Sequence, residues 1–151
     1  MATSHMLRRR PRRTAAATFI VGLSLACATL VHTGTSELVN RDWRLLSIRG
    51  KRIMPSFGMR EPYVRLSGDS LRMSGWGGCN RISGTATADA DHLAFGPILA
   101  TKMACADAQL NRQESDFLAA LRETSLYQIL GDTLILSQDN EELARLTAGS
   151  R

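Results

Sequence analysis

Residues that carry chemistry are scarce in this 151-residue chain. It holds three histidines, His5, His32 and His92. The Gly-x-Ser-x-Gly elbow that exposes a serine nucleophile is missing, as are the glycine-rich phosphate loop and the His-Glu-x-x-His zinc helix. No Cys-x-x-Cys lies beside a helix start, which removes the usual spacing of a dithiol redox pair or a compact zinc site. The acids are scattered over turns and a helix surface, and Asp89 and Asp91 flank a turn as solvated carboxylates do. We therefore expect no enzyme, and assign no catalytic residue, cofactor or metal site. There is no internal repeat. The longest apolar run, Ala15 to Leu30, is about 16 residues and is interrupted by Thr18, Gly22 and Ser24. A spanning helix needs roughly 20 apolar residues.

Acids are absent before Glu37. That gap explains a pI near 9.7. Arg8, Arg9, Arg10, Arg12 and Arg13 are five of the 19 basic residues, and the 14 that lie beyond residue 13 equal the 14 acids. Basicity thus belongs to a short N-terminal segment, and the rest has no net field to gather phosphates. Nucleic acid is not expected as a partner.

Residues 1–28 read as a tag-like start, Met1 to Met6, followed by an export signal: a basic stretch, then the apolar run. Met6 is a second candidate start. Two ends are legible. Ala26-Cys27-Ala28 fits a small-x-small cleavage site. Leu23-Ser24-Leu25-Ala26-Cys27 resembles a bacterial lipobox with Ser24 where leucine is usual, which would make Cys27 a lipidated first residue. Either fate removes Cys27 from the count of three cysteines. A retained membrane anchor is the lesser alternative. Residues 29–40 read as a polar linker, and residues 41–148 as one folded domain. The expected location is the bacterial cell envelope, in the periplasm and held there by lipid if Cys27 is modified.

The domain alternates with period two through most of its length. Trp43 and Leu45 share one face of a first strand, Leu46 and Ile48 the other. Lys51 to Arg60, with Pro55 and Gly58, reads as a loop carrying Lys51, Arg52 and Arg60, with Arg49 just before it. Tyr63–Leu66 and Leu71–Met73 form a hairpin about Gly68-Asp69. Gly75-Trp76-Gly77-Gly78-Cys79-Asn80-Arg81 comes next. Trp76 is either a mobile aromatic lip or a ring packed over the rim of a bulged turn, and Asn80 reads as a turn former bonding its own backbone. Ile82, Gly84, Ala86 and Ala88 make a small-residue face, suited to a packed helix or to a ligand. Leu93 and Phe95 return the chain before Gly96-Pro97. From Asp107, Leu110, Glu114, Phe117, Leu118 and Leu121 fall on one helical stripe. Tyr127–Leu130 and Thr133–Leu136 make a second hairpin about Gly131-Asp132, and Leu143–Leu146 closes the domain. The fold class is α+β: one small domain, a mostly antiparallel curved sheet or half-barrel with one packed α-helix.

Several of these segments, in order, resemble the META domain, or HslJ-like, family. They are Trp43-Arg44-Leu45, Gly78-Cys79-Asn80-Arg81 within its glycine stretch, and Leu93-Ala94-Phe95-Gly96-Pro97. Thr101-Lys102-Met103-Ala104-Cys105, the helix with Glu114 and Phe117-Leu118, and Tyr127 with Gly131-Asp132-Thr133-Leu134 complete them. Lys102 stands where the family more often has arginine. The resemblance implies a small exported or lipid-anchored α+β domain of the kind linked to heat shock, antibiotic tolerance, motility and virulence. It implies no catalytic residues.

Three readings of Cys79 and Cys105 are open: a structural disulfide, a three-ligand metal site with His92, and a redox pair. Export and the even pair point to the disulfide, which would stabilise the fold by roughly 3–4 kcal/mol. Gly75, Trp76, Gly77, Gly78, Asn80, Arg81, Lys102 and Met103 form a candidate interaction loop. The expected function is an accessory or stress-response role through an envelope protein partner. The alternative is a half-barrel module for a small apolar ligand or lipid. A monomer is expected.

Overall fold

A computed structural model describes residues 35–53, 60–68, 70–103, 105 and 107–149. The Met1–Met6 start, the leader with Cys27, the first part of the linker, His5, His32, Pro55, Gly58, Asp69 and Ala104 lie outside the described residues.

The chain runs through a one-turn helix α1 (Thr35–Leu38), then β1 (Asp42–Ile48), β2 (Lys51–Arg52), β3 (Tyr63–Ser67), β4 (Arg72–Trp76) and β5 (Arg81–Asp89). Next come β6 (His92–Phe95), β7 (Leu99–Ala100), the helix α2 (Ala108–Glu123), β8 (Leu126–Leu130), β9 (Thr133–Gln138) and β10 (Glu141–Ala148). Eight strands pair in the order β10-β9-β8-β6-β5-β4-β3-β1, and β1 pairs back onto β10. The sheet is therefore a closed barrel. This corrects the curved sheet or half-barrel expected from sequence. The closing ladder runs from Trp43 opposite Ala148 to Ile48 opposite Ala144, and no local pattern announces a pairing between the first and last strands. The β6–β8 seam is narrower. It holds the pair His92–Leu126, flanked by Leu93 N–H to Ser125 O (3.1 Å) and Tyr127 N–H to Asp91 O (2.8 Å). Strands β2 and β7 lie off the ring, on β1 and β5.

Bulges make the closure. The register of β1 shifts between Leu45 and Ser47, and that of β10 between Glu142 and Ala144. A bulge adds a residue to one strand, bends it and re-aims the side chains beyond it. Trp43, Leu45 and Ile48 are consequently all buried, while Leu46 is 39 % exposed. Strict alternation had placed Ile48 on the face of Leu46. The interior is filled by side chains: Trp43, Leu66, Met73, Leu93, Tyr127, Ile129, Leu134, Leu136 and Leu143 are each 2 % exposed or less. Eight strands give an interior just wide enough for such packing.

Helix α2 starts at Asp107, whose carboxylate accepts the Gln109 N–H at 2.7 Å, satisfying one of the donors left open at a helix start. Phe117, Leu118, Ala120 and Leu121 are buried and join the same core as the strands. A lone helix of this length is marginal in water, so this packing is what holds it. It packs on β1, β6, β9 and β10. Those strands lie on different sides of the ring, so α2 crosses one mouth of the barrel. The small-residue face of β5 is not its seat: a Cβ at Gly84 would lie 2.8 Å from the Pro97 carbonyl and 3.4 Å from the Met73 methyl. The folded unit also begins earlier than residue 41. Leu38 is fully buried, and its carbonyl accepts the Trp43 indole N–H at 2.8 Å.

Candidate functional site

The glycine and cysteine segment forms a corner where β4 turns into β5. Gly75 and Trp76 end β4, and Arg81 opens β5 opposite Trp76. Gly77, Gly78, Cys79 and Asn80 make the turn between, closed by the Gly77 N–H on the Asn80 carbonyl (2.8 Å). Gly78 has φ +129°, a conformation open to glycine and strained for other residues.

Into this turn projects a side chain that the sequence places on the helical stripe without showing its role. Glu114, on the inner face of α2, is 7 % exposed. Its Oε2 accepts the Cys79 N–H (2.9 Å) and the Asn80 N–H (2.6 Å), and its Oε1 accepts Asn80 Nδ2 (2.7 Å). Among the described residues it has no basic partner. Three N–H donors balance the carboxylate in place of a cation, a charge-assisted arrangement stronger than neutral hydrogen bonds. Gly77 makes room for it, because a Cβ there would sit 2.6 Å from Glu114 Oε2. The available signal was an acid on an otherwise apolar helical stripe, and such a residue is buried only when its oxygens are satisfied.

Asn80 extends the network. Its Oδ1 accepts Thr101 Oγ1–H (2.9 Å) and the Met103 N–H (2.7 Å). It joins the turn to the segment after β7; the expected bond to its own backbone is replaced by these. Thr101 N–H donates to the Arg81 carbonyl (3.0 Å), and Arg81 N–H donates to Thr101 Oγ1 (3.2 Å). Cys79 and Cys105 form a disulfide with Cα atoms 5.8 Å apart, inside the usual span. The corner is thus tied to α2 by Glu114, to the strand segment by Asn80, and to the helix approach by a covalent bond.

Outside the corner, Trp76 is half-buried, with the Arg60 guanidinium 5.6 Å from its ring centroid. Lys102 is exposed, and so are Leu99 and Met103, at 69 % and 52 %. Tyr63, Ser74, Arg81, Ser83, Leu99 and Thr101 line a surface groove of about 460 Å³, with Arg60 at its side. His92 stands elsewhere: its Nδ1 is 3.0 Å from Asp91 Oδ1, with both side chains exposed, and it does not join the cysteines. Of the basic residues of the β1–β2 region, Arg49, Lys51 and Arg52 line one cleft, and Arg60 does not. Arg49 pairs with Glu123 and Glu141, which raise its pKa above the ordinary value, Glu123 most. Arg60 lies on Trp76 instead. A second cleft, of about 560 Å³, runs between α2 and the β1–β2 hairpin, lined by Ile48, Lys51, Arg52, Ile53, Leu110 and Arg112 among others.

Comparison with solved structures gives two NMR structures of the same fold. One, of a protein from Burkholderia xenovorans, is 23 % identical with a TM-score of 0.63, covering 96 % of this chain and 100 % of that one. The other is 23 % identical with a TM-score of 0.61, covering 77 % of this chain and 96 % of that one. No curated protein matches the chain. The META domain profile matches residues 36–150, a span that includes the glycine corner, both bonded cysteines and Glu114. The chain belongs to the META domain family.

Proposed function

We propose that this is an exported envelope protein with a non-catalytic accessory or stress-response role, exercised by binding a protein partner at the Cys79 corner. The observation that carries this reading is the division between a filled interior and an exposed apolar rim. Trp43, Tyr127 and the interior leucines occupy the barrel, while Leu99 and Met103 are exposed, Leu99 in one groove with Arg60, which lies over Trp76. Aromatic, Met and Arg side chains are the types enriched at protein interfaces. The basic and apolar leader supports export, and a lipid on Cys27 would hold the protein at the membrane.

The test is photo-crosslinking from position 103 in intact envelope, against position 130, where Leu130 is 39 % exposed on another strand. A discrete partner captured from 103 and absent from 130 is expected. Equal labelling from both positions contradicts the reading. The mature protein should begin at Cys27 with lipid or just after Ala28, and an exported form retaining Arg8 to Arg13 contradicts that part. The cleft between α2 and the β1–β2 hairpin favours a second reading, a small apolar ligand or lipid, since Ile48, Ile53 and Leu110 lie there among Lys51, Arg52, Arg112, Asp107 and Asp116. Native mass spectrometry after soaking with mixed lipids separates the two.

A further inference from the structure

We propose that the free edge of β7 receives an extended acidic segment of a partner protein, laid as an added strand with its acidic side chains on the outer face of the sheet, toward Arg81. This rests on the partner-binding reading above and gives the partner its chemistry.

The edge comes first. A barrel abolishes the free strand edges on which other chains pair, yet β7 is a strand outside the ring. Among the described residues it pairs with β5 alone, Ser83 opposite Leu99 and Ile82 opposite Ala100. Thr101 N–H bonds to the Arg81 carbonyl, so Arg81–Thr101 is a hydrogen-bonded pair. Bonded and non-bonded pairs alternate in an antiparallel ladder. Ile82–Ala100 is therefore non-bonded, and the N–H and C=O of Ala100 point away from β5. Leu99 and Ala100 are both exposed. An incoming strand meets one donor and one acceptor there, the main-chain element of strand addition.

The charge of the groove selects the segment. Its lining includes Arg60 and Arg81 and no acid. Neither arginine has a carboxylate within ion-pair distance among the described residues, a state they share with Arg52, Arg72, Arg112 and Arg122. Lys102 extends the positive side past the end of β7. The floor is low, with Ser74, Gly75 and Ser83, and an apolar wall stands at Leu99, 69 % exposed. Successive side chains of a strand alternate by face. Cross-strand partners share a face, so Tyr63, Arg81 and Leu99 all project to the outer face; on a segment alternating acidic and apolar residues the acidic set takes that face, within reach of the long Arg81 side chain. The site is also rigid. Thr101 and Met103 are bonded to Asn80, Asn80 to Glu114, and Cys79 to Cys105, so little ordering cost falls on the receiving side.

The experiment is an NMR titration of the full chain with a capped peptide of alternating glutamate and valine, beside its lysine–valine counterpart. The expected result is saturable shifts at Leu99, Ala100 and Thr101 with the acidic peptide only, weakened by salt. The variant Arg81→Ser should weaken binding about threefold, the scale of one partly exposed ion pair. Ala100→Pro removes the outward N–H and no ladder bond, so it should leave the melting temperature in place and abolish the shifts. Four outcomes overturn the proposal: equal binding of the lysine peptide, shifts at Lys51, Arg52 and Arg112 instead, undiminished binding by Ala100→Pro, or concentration-dependent self-association that maps to β7. The crosslinking from position 103 is read separately, so the partner reading can stand while this groove fails, and the reverse.

Discussion

The two sides of the barrel are held together by different physics. On one side β8, β9, β10 and β1 form long ladders, and their inward residues Tyr127, Ile129, Leu134, Leu136 and Leu146 are buried apolar groups. On the other, the β4–β5 corner has a glycine turn with few side chains to bury. It is held by a buried carboxylate, one asparagine and a disulfide. The ladder side distributes its stability over many small contacts, each replaceable at modest cost. The corner concentrates it in a few groups that depend on one another. The second device holds the corner in place while Leu99 and Met103 stay exposed, since it does not rely on burying them.

That contrast can be broken at the corner with the largest effect. Glu114→Leu leaves the Cys79 N–H, the Asn80 N–H and Asn80 Nδ2 without their acceptor, and should cost about 3–5 kcal/mol in chemical denaturation. Cys79→Ser, Cys105→Ser and the double variant should each lose roughly 3–4 kcal/mol under non-reducing conditions, and lose it equally, because each removes the same bond. On the ladder side, Ile48→Ala should cost about 2–4 kcal/mol and Leu46→Ala under about 1. That asymmetry reports the bulge between Leu45 and Ser47, and strict alternation would predict equal costs.

The smallest effect sits inside the ladder side. Tyr127 is 2 % exposed and its hydroxyl has no hydrogen-bond partner among the described residues. Burial, with Asp91 nearby, raises its pKa above 10.0. A raised folded-state value means its stabilising contribution is complete below the unfolded pKa and is lost as pH climbs through the folded one. Stability should therefore decline above about pH 10, and Tyr127→Phe should soften that decline. Removing an unpaired buried hydroxyl should also raise stability at neutral pH by about 1 kcal/mol. Denaturant midpoints across the alkaline range check both.

Legibility in the chain divides along the same line. Period-two alternation disclosed the hairpins, because each strand buries one face, and the stripe through Phe117, Leu118 and Leu121 disclosed the helix. The cysteine pair stood out by its residue type. Closure did not show, since β1 and β10 meet across nearly the whole domain and their bulges break the alternation that would have marked register. Leu38 was hidden in a polar stretch with no period of its own. Glu114 was visible as an acid on an apolar stripe, but its partners are backbone N–H groups, which no side-chain spacing reveals. Asn80 was placed correctly in the turn and given the wrong partners for a similar reason: Thr101 and Met103 reach it only through the fold.

The claim that the corner is clamped from beneath by Glu114 is tested most directly by amide hydrogen exchange at Cys79 and Asn80. In the oxidised full chain both amides should be as protected as the core amides of Leu134 and Leu136, despite lying in a glycine-rich turn. In Glu114→Gln, whose amide keeps one acceptor oxygen and presents a donor where the other stood, Cys79 and Asn80 should exchange markedly faster relative to Leu134 and Leu136. If the two turn amides exchange freely in the unaltered protein, or if Glu114→Gln leaves their protection relative to the core unchanged, the clamp does not exist as described.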